Sequence, residues 1–157
     1  MAGNTNIDAV ALLNSARRFY KLAEIGFGES DADLEQPLYF LYFQVVENLL
    51  KSYLAARGKN PRSGHKITQF YRQAEELGLT IEGDPYELQN VVSLLESGNQ
   101  NSGFRYLTSD SGSIPELRWT RDVVGRLLTV VATLVEPISA SLPSTPVKLR
   151  IKFSKPA

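Results

Sequence analysis

The sequence predicts an all-α fold, an up-and-down bundle of four to five helices followed by one short C-terminal β-strand. Three observations predict it. Residues 37–57 form a continuous stretch that is apolar on nearly every side and is closed by Gly58. A helix of that kind must be buried on every side, so it belongs at the centre of a bundle. Four further segments repeat apolar residues at helical spacing. At the C-terminal end the period changes to two: Val147, Leu149, Ile151 and Phe153 alternate with Lys148, Arg150, Lys152 and Ser154, the pattern of a strand with one apolar and one cationic face.

The first helix is expected over about 6–25, where Leu12, Leu13, Ala16, Phe19, Tyr20 and Ala23 share a stripe. The glycine-containing loop 26–33 should end it. Acidic residues at the start of the central helix suit the positive end of its dipole, and Glu47 and Lys51 stand four apart as a supporting pair worth about 0.2–0.5 kcal/mol. The third helix, 66–77, places Ile67, Phe70, Tyr71, Ala74 and Leu77 on one stripe and stops at Gly78. In the fourth, Asp84 caps, Pro85 suits the first position and Glu87 completes a capping-box pattern. Its buried stripe is Leu88, Val91, Val92 and Leu95.

A polar segment, 97–113, is interrupted by Phe104, Arg105, Tyr106 and Leu107. The fifth helix, 115–136, is so broadly apolar that it is either central or part of a dimer interface. Gly125 in its middle costs about 1 kcal/mol against alanine, which a close helix approach explains. Residues 1–140 therefore read as the bundle. Residues 141–157 read as a Pro/Ser break and a basic strand, packed on the same domain or on a partner, because a lone strand leaves backbone groups unpaired.

Seventeen basic residues balance seventeen acidic ones, so no global field marks the chain for nucleic acid or an anionic membrane. The absence of cysteine excludes disulfides and thiolate metal sites. No basic, apolar leader opens the sequence, and the apolar run 123–138 is interrupted by Arg126 and Glu136 and too short to span a bilayer. The expectation is a cytoplasmic single domain with no membrane association.

The order of an aromatic helix, the Val46 to Lys51 segment, the Arg57–Gly58 helix end, His65 before the next helix and Phe104 to Leu107 before the last one resembles the HEPN family of helical domains. The resemblance covers most of the first 138 residues and implies pairing of subunits through their helices. It also implies association with a nucleotidyltransferase-type protein or a role in a toxin–antitoxin system. The RNases of that family use an Arg followed four to six positions later by a His, at the last helix. Here the last helix has Arg118, Arg121 and Arg126 but no histidine. The resemblance thus argues for the fold and against that chemistry.

His65, the only histidine, suits acid or base work because it titrates near neutrality. No carboxylate lies close to it in sequence, and the plainer reading is a loop residue at a helix start. Arg57, Lys59, Arg62, His65 and Lys66 together suit a phosphate or RNA backbone, or else form a solvated loop. Arg105 and Tyr106, with Phe104, suit base stacking, or else plug the core. The aromatic run at 39–43 is core, and the acidic residues of 29–35 are caps, since they lack the glycine and glutamate a calcium loop needs. No metal-ligand spacing, phosphate loop or nucleophile motif is present, so no cofactor is expected. The leading expectation is a non-catalytic homodimeric binding module, its ligand of nucleotide or RNA type seated where the 57–66 loop meets residues 104–106. The alternative is a metal-independent RNA endonuclease pairing His65 with Arg118 or Arg121.

Overall fold

The apolar stretch at the centre of the sequence is the centre of the fold. In the computed structural model, which describes residues 5–29, 31–61, 64–100 and 116–142, it forms α2 (Glu35–Ala56). Leu38, Tyr39, Tyr42, Phe43, Val45, Val46, Leu49, Leu50, Tyr53 and Leu54 are all buried along it. A helix with no apolar stripe but an apolar circumference needs neighbours all round, and α1 (Thr5–Gly28), α3 (Ile67–Glu76), α4 (Pro85–Gly98) and α5 (Leu117–Ser141) supply them. The five helices form an all-α bundle. The expected strand at 147–155 and the 104–107 island lie outside the described residues.

α1 and α2 run antiparallel. The Ser52 hydroxyl donates to the Ala9 carbonyl at 2.7 Å near one end, and the Tyr42 hydroxyl donates to Glu24 at 3.4 Å near the other. α1 does not stop at residue 25 as its glycines suggested. It continues through Gly26, because a Cβ there would lie 2.8 Å from Leu38 Cδ2. Gly26 is thus the close approach that lets the two helices converge, and the turn follows only after Gly28. There Asp31 Oδ1 accepts the Asp33 amide at 2.9 Å and shapes the short 3-10 turn Ala32–Leu34 before α2. Asp31 thus caps that turn, whereas α2 itself starts on Leu34 with no side-chain cap, so the acidic residues cap less than the sequence suggested.

The start of α4 follows the sequence closely. Asp84 accepts the Tyr86 amide at 2.9 Å and Pro85 opens the helix. Glu87 reaches back to the Asp84 backbone, and also accepts from Trp119 Nε1 at 3.2 Å. α5 begins on Glu116, whose carboxylate accepts the Arg118 and Trp119 amides at 3.1 and 2.8 Å. It buries Thr120, Val123, Val124, Leu127, Val131 and Val135. Gly125 meets α1 as expected: a Cβ there would lie 2.9 Å from the Tyr20 hydroxyl.

α5 passes Glu136 and Pro137 and ends at Ser141, so it is longer than the sequence suggested. At 25 residues, with a mean hydropathy of 1.6 over its most apolar window, it is long and apolar enough to cross a bilayer by length and composition. That corrects the expectation that this stretch is too short. The same helix packs on α1, α2 and α4, as the core helix of a bundle does.

Candidate functional site

The connection from α2 to α3 does not simply reverse the chain. Gly58, at φ +76°, ends α2, and the amides of Arg57, Gly58 and Lys59 close on the carbonyls of residues 53–55. The loop then returns along α2, so that His65 lies beside Glu47 and α3 ends where Tyr53 donates to the Leu77 carbonyl at 3.1 Å. Lys51 ties the loop down. Its Nζ donates to Glu47 at 2.7 Å and to the Gly64 carbonyl at 3.0 Å, and it sits 5.1 Å from the centre of the Phe70 ring.

Glu47 is therefore no surface partner of Lys51. Its side chain is only 7 % exposed, and it faces both Lys51 and His65. His65 Nδ1 is 3.1 Å from each carboxylate oxygen, while the ring as a whole is 67 % exposed. An ionised carboxylate can only accept, so Nδ1 carries the proton that faces Glu47. In the uncharged form of the ring the lone pair is then on Nε2, on the side turned from Glu47. The carboxylate missing from the sequence neighbourhood of His65 is supplied eighteen residues upstream.

The ring borders a cleft of about 650 Å³ whose other walls include Asn60, Lys66, Gln69, Phe70 and Gln73. On the far side of Lys51, a second cleft of about 430 Å³ runs between α1 and α2, past Asp8, Ser15, Asn48 and Pro61. Of the other residues singled out in sequence, Lys66 lines the first cleft. Arg57 and Lys59 are exposed, and Arg57 lies 5.3 Å from the Tyr53 ring centre. Arg62, Arg105 and Tyr106 lie outside the described residues.

Arg118 and Arg121 belong to a different place. Both line a groove of about 380 Å³ between α1 and α5, with Tyr20, Asp122 and Arg126. Arg121 donates to both oxygens of Glu24, at 2.8 and 2.7 Å, and stacks 4.4 Å from the Phe27 ring centre. The Arg121 guanidinium holds the Glu24 carboxyl below its ordinary range. The Glu24 hydrogen bond in turn raises Arg121. Burial raises both Tyr42 and Tyr20 beside them. Arg126 is bound likewise, to Glu87 at 2.7 Å, to Asp122 at 2.8 Å and to the Glu82 carbonyl. Tyr42 marks this cluster on α2 and Glu47 marks the histidine cluster. Five residues apart, they point about 140° from each other around the helix. Within one chain, His65 and Arg121 therefore hold different faces of α2.

Sequence reasoning missed Glu47 as a site residue. Its signal is the one acidic side chain past the first turn of a helix buried on nearly every side, which marks a carboxylate committed to the interior. No group of three or more His, Asp or Glu side chains suited to a metal ion occurs among the described residues. No curated protein and no solved structure matches the chain. A family model for the HEPN domain matches residues 9–140, from the first turns of α1 to the last turn of α5. By the agreement of that match with the five-helix bundle, the chain belongs to the HEPN domain family.

Proposed function

We propose that the chain is a non-catalytic HEPN binding and assembly module, working as a cytoplasmic homodimer beside a nucleotidyltransferase-type protein or within a toxin–antitoxin pair. The observation that carries the first part is the commitment of two of the three α5 arginines, Arg121 and Arg126. Arg121 spends one guanidinium edge, Nε and Nη2, on the two oxygens of Glu24, and Arg126 is shared among Glu87, Asp122 and the Glu82 carbonyl. A guanidinium already paired bidentately offers little to a scissile phosphate. Pairing of subunits rests on the breadth of α5, whose flanks leave Leu128, Val130, Ala132 and Leu134 half-buried in one chain. The type of partner rests on family membership.

The test is incubation of purified protein with structured RNAs in the absence of metal, wild type against His65→Ala, with light scattering on the same samples. Intact RNA and a mass twice the 17.4 kDa of one chain are expected. One observation favours a second reading: His65 has an orienting carboxylate, as a general base requires. RNA cleavage that disappears in His65→Ala would establish that reading and overturn the first.

A further inference from the structure

We propose that His65 is a phosphorylation site: its Nε2 accepts a phosphoryl group from a donor that carries phosphorus on nitrogen. Glu47 and Lys51 are the positioning residues, and Lys66 stands beside the transferred group. The inference goes beyond the reading of the chain as a binding module and needs neither its dimer nor its partner.

The first argument is the support behind the ring. Glu47 and Lys51 are 7 % and 15 % exposed at the side chain. Two charges taken this far out of water recover little beyond what a pair of well-packed apolar side chains would supply. Stability alone therefore does not explain them, whereas their joint effect on His65 is specific. Lys51 holds the Gly64 carbonyl at 3.0 Å, and Glu47 accepts from Nδ1 of the next residue at 3.1 Å. A ring that is 67 % exposed is thereby fixed in one orientation and one tautomer. Its lone pair is on Nε2, on the side turned from Glu47.

The second argument is the chemistry of that nitrogen. An exposed imidazole lone pair is a nucleophile, and a group that orients the ring from its other nitrogen activates it. As Nε2 forms its bond to phosphorus, the donor's own P–N bond breaks, and its electron pair leaves with the donor nitrogen. From phosphoramidate the leaving group is ammonia, formed from the donor's protonated nitrogen. The Nδ1 proton stays between the ring and Glu47, and no oxidant, reductant or further reactant enters. The ring becomes positively charged, and a carboxylate on Nδ1–H stabilises that charge as it develops. An interaction that strengthens along the reaction speeds it, beyond merely placing the ring. The surroundings suit the product as well. Among the described residues that line the cleft none is acidic, while Lys66, Asn60 and Gln69 carry donors for phosphoryl oxygens. α3 starts on Lys66 with no side-chain cap, and an uncapped helix start favours a dianion on the residue before it. The cleft of about 650 Å³ leaves room for the donor.

The test incubates the whole chain with phosphoramidate, with N-acetylhistidine in the same tube as the reference. Phosphorus NMR separates phosphoryl on Nε2 from phosphoryl on Nδ1, and the chain has a single histidine. One product is expected, on Nε2, formed about tenfold faster than on N-acetylhistidine. That is the effect of one charge-assisted hydrogen bond gained as the ring becomes charged. Glu47→Gln is expected to lower the rate to the reference and to give both isomers, a readout that a merely structural role would leave alone. Glu47→Leu with Lys51→Met repeats the measurement without an unpaired buried lysine, and the same outcome is expected. Lys66→Ala, at an exposed position, is expected to slow transfer and leave the isomer unchanged. A small phosphoramidate and a phosphohistidine of another protein offer the same donor chemistry. A second arm with a histidine peptide phosphorylated beforehand separates them: faster transfer from the peptide assigns a protein donor, and the reverse a small one.

A rate no greater than that of N-acetylhistidine, a product on Nδ1, or the wild-type rate in both Glu47 variants would overturn the assignment. Those results leave the dimer and RNA measurements untouched, so failure of this site is distinguishable from failure of the module reading.

Discussion

Two carboxylates, Glu24 and Glu47, each organise a polar cluster around α2, and they use it differently. Glu24 is matched by Arg121 through two hydrogen bonds, with tyrosine hydroxyls close by. The donors that face Glu24 in that cluster, two from Arg121 and the Tyr42 hydroxyl, come from the protein itself. Glu47 holds Lys51 and one nitrogen of His65, and among the described residues nothing bonds the second nitrogen of the ring. A carboxylate matched with arginine ties helices together. One matched with histidine orients a group that still has a hydrogen bond to make.

The sharpest way to break this contrast is to remove the carboxylates in turn. Glu47→Ala leaves Lys51 charged in a largely buried position, and a loss of about 3 kcal/mol is expected by chemical denaturation. The double variant Glu47→Leu, Lys51→Met should recover most of that loss, because an apolar pair replaces an ion pair without penalty. It should nevertheless release His65. A double variant as unstable as the single one would mean that the pair is there to hold the fold.

Arg121→Ala should cost much less, about 1 kcal/mol, because the pair is partly exposed and screened. The acid dependence follows from the lowered Glu24 carboxyl. Its stabilisation is present above the ordinary carboxylate range and is lost as pH falls through the depressed folded value. Thermal melts from neutral to acid pH should therefore converge for wild type and Glu24→Gln. Smallest of all is Gly125→Ala. Alanine gains helix propensity of about 1 kcal/mol, but its Cβ pushes on the far end of Tyr20. A net change within about 0.5 kcal/mol is expected by the same denaturation assay. A large loss would show that Tyr20 cannot yield, and that the Glu24 cluster is as rigid as the Glu47 one.

The contrast also separates what the sequence discloses from what it hides. Helix number, the centrality of α2, the α4 start and the Gly125 approach follow from periodicity and local capping, which act within a few residues. The helix ends at Gly28 and Ser141 do not, because Gly26 is accepted for its packing on Leu38, a partner in another helix. The loop cations were visible as a group, Arg57 to Lys66. What organises His65 was not, because Glu47 lies eighteen residues away and meets it only when the loop doubles back along α2. Arg121 was visible as a cation but its bond to Glu24, ninety-seven residues away, was not. Long-range pairing of charges decides both sites.

The presence of a single histidine makes the central claim directly observable. Nitrogen-15 correlation spectra of the imidazole, recorded with the ring uncharged, report which nitrogen bears the proton. If Glu47 orients His65, the Nδ1–H form will dominate, and Glu47→Gln will shift the population toward Nε2–H. A wild-type ring already in the Nε2–H form, or one insensitive to Glu47→Gln, would contradict the account.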